Sequence, residues 1–510
     1  MGKVDEIRSV GVVGLGTMGA GIAQVAIEAG FDVVGREVNA ELGERARGRI
    51  DHFLTRKVEK GQLEQDARAR VDAAGTGARA LNEADTIDRD AVWAAKEQAL
   101  RELFAERAPD EDFRRYCAEE GDGLVTFATW CAIAEEHGLP WSRWPEELRD
   151  PSSPAVSEFR FEHTEVVEFH QWLQWLLDRQ LAAVQAEATA AGMSLGVVHD
   201  LAVGVHPDGA DAWGLGDALA RGVYVGAPPD QFNQLGQNWT QPPWRPDRLA
   251  ELGYAPYRDM LRTVLKDSGG IRVDHIIGLF RLWWIPEGMG ADRGTYVRYD
   301  HEALIGILAL EAHRAGAVVV GEDLGVVEPS MRDYMLERGV LGTSILWFEW
   351  DGDRQLLAPE HYRELCLSAV TTHDLPPTAG YLALEHVAVR DRLGLLTRPV
   401  DEERAVEEAT IATVRAALAA RGLLPGDAVD ADVPAVVEAL HRYLAETPSK
   451  MLGVAVTDLV GDTRAINQPG TDREYPNWRL PLSGPDGQLV TLEDLMASPF
   501  ARTIAERLNR

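Results

Sequence analysis

The chain has 510 residues, 45% of them apolar, and a formal net charge of −31. The apolar share supports a large core, while so acidic a balance excludes nucleic acid and anionic membranes as expected partners, since both need clustered Lys and Arg. At roughly 150 residues per domain the length allows three or four domains, yet a decorated α/β barrel alone takes more than about 400. Cys117, Cys131 and Cys366 are odd in number, widely spread and without metal-ligand spacing. No metal is therefore expected, and the thiols suit a reducing, cytoplasmic location.

The chain opens on a strand pattern, Ser9-Val10-Gly11-Val12-Val13, then Gly14-Leu15-Gly16-Thr17-Met18-Gly19 and a helix over Ala20 to Ala29. Gly30 stops the helix, and Phe31 to Gly35 reads as a second strand ending at Arg36-Glu37. The stretch from Val10 to Ala29 is broken by glycines and carries Glu28, so neither a membrane span nor a signal peptide is expected. A GxGxxG at a strand-to-helix turn lets a pyrophosphate approach the helix N-terminus through Gly14, Gly16 and Gly19, while Glu37 sits where an acid binds a ribose hydroxyl.

With Gly21-Ile22-Ala23-Gln24-Val25-Ala26 and Arg56-Lys57-Val58-Glu59-Lys60-Gly61-Gln62-Leu63, residues 8–66 resemble the opening of a 3-hydroxyacyl-CoA dehydrogenase. Only two strands are present where a dinucleotide fold needs about six, and the family's catalytic histidine and partner acid have no counterpart. Hydride transfer and tight NAD binding are therefore not expected. The bland alternative is a glycine turn with no ligand.

The join falls between Gly61 and Ala80, where the charged Asp66 to Asp72 stretch gives way to Ala73-Ala74-Gly75-Thr76-Gly77. Two units are expected, a truncated Rossmann-like segment over 1–70 and a barrel over 71–510 with a helical insertion at about 85–170. The insertion is read from helix patterns between Asp88 and Leu177, broken at Arg107-Ala108-Pro109 and at Asp150-Pro151-Ser152-Ser153-Pro154.

Beyond it, short apolar runs end on acids. Gly270 to Val273 runs into Asp274, Ala317 to Gly321 into Glu322, and Leu367 to His373 into Asp374. An earlier copy, Leu195 to Val198, runs into His199-Asp200, and Met451 to Leu459 reads as the last strand. The runs at Gly270 and Ala317 follow amphipathic segments closed by Gly269 and Gly316, which predicts alternating α and β units and a parallel sheet. The fold class is α/β, a (β/α)8-type barrel with the acids on the rim that carries chemistry in such barrels. Carboxylates flanking a glycosidic bond suffice for sugar chemistry, one as nucleophile and one as acid. Arg272, two residues before Asp274, shares its face and is expected to hold it ionised. The bland alternative is helix caps and surface pairs.

Arg272-Val273-Asp274-His275, Gly321-Glu322-Asp323-Leu324-Gly325 and Thr372-His373-Asp374 resemble signature segments of the amylomaltases, the 4-α-glucanotransferases of glycoside hydrolase family 77. So do Gly226-Ala227-Pro228-Pro229-Asp230, Gly236-Gln237-Asn238-Trp239, Ile466-Asn467-Gln468-Pro469-Gly470-Thr471 and Asn477-Trp478-Arg479. The resemblance begins near Ala73. It implies Asp274 as nucleophile, Glu322 as general acid/base and Asp374 as the acid that stabilises the transition state. Arg272, His373 and Asp200 would hold the sugar, with Trp239 and Asn467 facing the cleft and maltooligosaccharides or storage α-glucans as partners. No cofactor is implied. One departure is Leu375-Pro376-Pro377 after Asp374, where many members carry Asn-Asp-Thr.

The family's first two βα units have no room between Asp66 and Asp88. The strands at Val10 to Val13 and Val33 to Gly35 are candidates for the vacated places, although their loops would not restore the missing cleft wall. Two other classes stay open, a catalytically impaired fusion and a nucleotide-binding module without hydride transfer.

Overall fold

The computed structural model describes residues 84–105, 107–229, 235–325, 327–425 and 431–508, together with two strands nearer the N-terminus. Those two are β1 (Ser9–Val13) and β2 (Asp32–Arg36). They are followed by β3 (Val198–Leu201), β4 (Val223–Ala227), β5 (Gln237–Asn238) and β6 (Gly270–Val273). The remainder are β7 (Arg281–Pro286), β8 (Thr295–Arg298), β9 (Val318–Gly321), β10 (Gly342–Ile345), β11 (Cys366–Ala369) and β12 (Met451–Gly453).

Two parallel sheets, β3-β6-β9 and β10-β11-β12, are joined by a parallel bridge between Val320 and Leu341. There Gly321 N–H donates to Leu341 O at 2.7 Å and Leu341 N–H to Val319 O at 3.0 Å. The result is one arc of parallel strands in chain order, β3-β6-β9-β10-β11-β12. A closed barrel of this kind has eight strands, and among the described residues no strand pairs with the outer edge of β3 or of β12. Burial follows the arc. All four residues of β10 are buried, while β3 alternates between exposed and half-buried and β12 is half-buried throughout. Val198, a residue type that favours strand interiors, is 37% exposed at this free edge.

The expected parallel pairing at the N-terminus is present. β1 and β2 run in register from Ser9↔Asp32 to Val13↔Arg36. They form their own sheet, and among the described hydrogen bonds none joins them to β3 or β12. Gly14, Gly16, Gly19, the helix expected over Ala20 to Ala29, Glu37 and the join lie outside the described residues.

The core has two main parts. One gathers Ile271, Val273, Val319, Leu304, Ile305 and Leu308 between β6, β9 and the helix His301–Ala315. Gly316 ends that helix at φ +67°, the left-handed conformation a glycine takes cheaply. The second packs Ile345, Leu346, Val414, Leu418, Val436 and Leu440 under β10 and β11. Helices Arg89–Ala105, Glu111–His137, Pro154–Glu162 and Thr164–Ala190 precede β3, the last of them running past the bound of about 170 given to the insertion. Among the described residues no helix is long and apolar enough to cross a membrane.

Several boundaries differ from the sequence reading. Leu195 to Val197 is not strand, because the Gln185 side chain takes the backbone there, donating to Leu195 O at 2.9 Å and accepting from Val197 N–H at 2.7 Å. Asp200 consequently lies inside β3, not beyond it. Gly269 does not stop a helix, which ends at Leu265; a Cβ at Gly269 would stand 1.8 Å from Leu195 O, so close approach requires the glycine. The last strand stops at Gly453 and a short helix, Val456–Val460, follows. Buried Asp458 ties that helix down by accepting the N–H and O–H of Thr378 at 2.7 and 2.6 Å. The segment from Gly226 to Trp244 contributes to an antiparallel sheet, β5-β4-β7-β8, that local pattern did not reveal.

Candidate active site

Asp274 and Glu322 follow directly on neighbouring parallel strands, β6 and β9. The ladder continues past both, with Asp274 N–H donating to Leu201 O and Glu322 N–H to Val273 O, each at 2.9 Å. His275 then turns at φ +46°, unusual for a residue other than glycine. Its N–H donates to Glu322 Oε2 at 2.9 Å, while Leu324 N–H donates to Glu322 Oε1 at 2.6 Å. Asp374 arrives from further beyond its strand, since β11 ends at Ala369 and a loop carries the acid.

Arg272 is the hub expected from strand alternation. Its Nη2 lies 2.8 Å from Asp274 Oδ1, and its Nη1 lies 2.7 Å from Asp200 Oδ1, the residue opposite it in register. Asp374 is held by His373, with Nε2 3.3 Å from Oδ2, and by Asn467, whose Nδ2 donates to Oδ1 at 2.7 Å. Asn467, expected on the sugar, thus also orients a carboxylate. Trp239 stands edge-on to the His275 ring, centroids 5.2 Å apart, and packs against the first core. Beyond Asp374 a cavity of about 390 Å³ opens between the ends of β11 and β12, lined by Thr372, His373, Leu375, Pro377, Val456 and Ile466 among others.

The electrostatics separate the acids. Burial, together with the nearby charge of Asp274, pushes Glu322 up to about 7 against the pull of two backbone N–H groups and Arg272. Burial also raises Asp274; Arg272 pulls it down, but the charges of Asp200 and Asp374 add to burial and the net direction is upward. The ion pair with Arg272 expected from strand alternation is present, but burial and the two acid charges outweigh its downward pull. Asp374 moves the other way. Burial would raise it, yet the hydrogen bond and charge of His373, with Asn467 and Arg272, hold it below the ordinary carboxylate range. His373 is raised in turn, chiefly by its hydrogen bond to Asp374. Burial lowers His275 to about 4, leaving a neutral ring near pH 7.

The sequence reading did not single out Asp323. Fully buried, it receives Arg332 Nε at 3.0 Å, Arg363 Nη1 at 2.5 Å and Thr343 N–H at 2.8 Å. It fixes the chain immediately after Glu322 to β10 and to the approach to β11. His199, next to Asp200, donates Nδ1–H to Val264 O at 2.6 Å, a structural bond. Among the described residues no three His, Cys, Asp or Glu side chains group as a metal site.

Parallel strands with an elevated carboxyl beside two other acids on the C-terminal rim define an α/β-barrel protein with a carboxylate site. The glycoside hydrolase family 77 model, described as 4-alpha-glucanotransferase, matches residues 49–486. The chain belongs to this 4-α-glucanotransferase family. The match opens at residue 49, ahead of the start expected near Ala73. It is 59% identical over 431 residues to a 4-alpha-glucanotransferase of Mycobacterium tuberculosis, covering 83% of this chain and 59% of that protein. The amylomaltase structure from Corynebacterium glutamicum is 45% identical with a TM-score of 0.78, over 88% of this chain and 64% of that one. An amylomaltase from Streptococcus agalactiae, solved in complex with acarbose, shares the fold at 19% identity and TM-score 0.67, covering 84% and 81% of the two chains. The chain thus spans about three fifths of the length of the mycobacterial relative, 59%.

Proposed function

We propose that the protein transfers α-1,4-glucan segments between maltooligosaccharides by a retaining double displacement. Asp274 attacks the anomeric carbon while Glu322 protonates the departing glycosidic oxygen, so a C–O bond breaks and a glucosyl ester forms. Glu322, now ionised, removes the proton from the 4-hydroxyl of an incoming glucan. That oxygen attacks the same carbon, the ester bond breaks and Asp274 is regenerated. No cofactor enters either step. Arg272 and Asp200 border the nucleophile, His373 and Asn467 orient Asp374, and Asp374 remains ionised to stabilise positive charge on the sugar ring.

The observation that carries this reading is Glu322 raised to about 7 on the strand next to Asp274, with Asp374 held below the ordinary carboxylate range. A carboxyl there can give a proton near neutral pH and take it back, the match a general acid/base needs. Three unpaired cysteines support a cytoplasmic location. Incubating the full chain with maltotriose should yield glucose together with longer oligosaccharides, and Asp274→Asn should abolish both. A chain that releases neither product refutes the reading.

The parallel β1-β2 pair supports a dinucleotide-type remnant without hydride transfer at the N-terminus. Titration with NADH, followed by its fluorescence, should show no saturable binding in the micromolar range.

A further inference from the structure

Trp478 lies in the segment that follows β12, the end strand of the arc. Its φ is +58°, a left-handed backbone that a bulky residue adopts only when its surroundings impose it. They do so on both sides. Trp478 N–H donates to Ile466 O at 2.8 Å, and its carbonyl accepts from Arg89 Nη2 at 2.6 Å. One residue later Arg479 O accepts the N–H of Ile87 at 2.7 Å.

A ring fixed at such cost for packing would be buried, as Trp144 and Trp213 are. Trp478 is instead 47% exposed. It meets His373, with ring centroids 5.2 Å apart and planes inclined at 50°. His373 in turn pairs with Asp374. The ring is therefore anchored beside the acid site, in the segment that follows the end strand of the arc.

We infer that Trp478 is a stacking surface for a glucosyl ring, forming the wall of the cleft next to Asp374. This rests on the glucan-transfer reading. The C–H face of an α-glucosyl ring is apolar and fits an aromatic face, and a pre-fixed ring binds it with little further loss of freedom. Arg89 and Ile87, at the start of the helical insertion, supply the fixing. The insertion thereby does more than decorate the barrel.

The test measures maltoheptaose binding to the full chain by titration calorimetry in a Glu322→Gln background. Adding Trp478→Ala should weaken Kd by about tenfold, and Trp478→Phe should recover most of that loss. An unchanged Kd with Trp478→Ala overturns the inference, as does a parent protein that binds no maltoheptaose. If Trp478→Ala does not fold, as judged by thermal melting, Arg89→Ala releases the loop while keeping the ring. It should weaken Kd by a smaller factor, and an unchanged Kd overturns the inference. Binding that depends on Trp478 in a protein making no longer oligosaccharides from maltotriose refutes the transfer reading and leaves the stacking role intact.

Discussion

The main-chain N–H of His275 donates to Glu322 Oε2 at 2.9 Å, so the residue directly after Asp274 holds the acid on the neighbouring strand. The proposed nucleophile and acid are thus fixed by adjacent backbone positions, with His275 at φ +46° to make the bond. Side-chain freedom contributes little to their spacing, which is what preorganised catalysis requires.

The pH dependence of turnover follows from Glu322. As the proposed acid it must be protonated to release the leaving group, and its carboxyl is raised to about 7. The rate of maltotriose disproportionation should therefore fall as pH rises through about 7. Glu322→Gln should lower kcat by roughly 10²–10⁴-fold below about pH 7 and remove that limb from what activity remains, so the difference narrows as pH rises. Initial rates between about pH 5 and 9 test both.

The same group makes stability depend on pH. Its folded value, about 7, exceeds its ordinary 4.5, so the unfolded chain loses this proton first as pH rises. The stabilisation is complete below about 4.5 and disappears as pH passes through about 7, a cost of roughly 3 kcal/mol above that range. Glu322→Gln, which cannot ionise, should be more stable than the parent at about pH 8, with a smaller difference near pH 5. Urea unfolding at the two values measures it.

Much of this site was legible locally. Asp274 and Glu322 each follow a β-branched run, and Arg272 shares a face with Asp274 through strand alternation, all short-range signals. What was not legible depends on distant partners. Gln185 takes the backbone groups that would have begun β3 at Leu195, so Asp200 enters the strand and pairs with Arg272. The antiparallel sheet β5-β4-β7-β8 places Trp239 through pairings between β4 and β7, whose residues are far apart in sequence. Arg89 and Trp478, 389 residues apart, meet only because the chain folds back on itself. The direction of the Asp274 shift also required burial, which no motif encodes.

Asp323 is a stability prediction. Arg332, Arg363 and Thr343 N–H converge on its fully buried carboxylate. Removing it leaves two guanidinium groups facing a partly buried void with their partner gone. Asp323→Ala should cost about 3–5 kcal/mol, far more than truncating an exposed acid, as read from the urea midpoint.

Gly269 tests the packing of the arc. A Cβ there would lie 1.8 Å from Leu195 O, and backbone cannot yield as a flexible side chain does. Gly269→Ala should shift the β3–β6 edge and cost more than the roughly 1–3 kcal/mol of ordinary overpacking. Loss of soluble expression or a Tm lowered by more than about 5 °C would agree, while a Tm equal to that of the parent would contradict it.

In the proposed mechanism, the edge of the arc between β12 and β3 bears on what happens to the glucosyl enzyme. Transfer outruns hydrolysis only while the cleft keeps water from the ester until a glucan arrives. Between β12 and β3 the described sheet lacks the two strands that would close a barrel, and Val198 at that edge is 37% exposed. Water should therefore compete more effectively than in a closed relative. Transfer alone matches every glucose or maltose released from maltotriose with an equally extended product. Hydrolysis releases both without one. We expect short products in clear excess over longer ones when maltotriose digests are quantified by chromatography, and a still larger excess once Trp478→Ala removes the remaining wall. Equal amounts of short and extended products from the unmodified chain would mean that the cleft excludes water and would contradict this expectation.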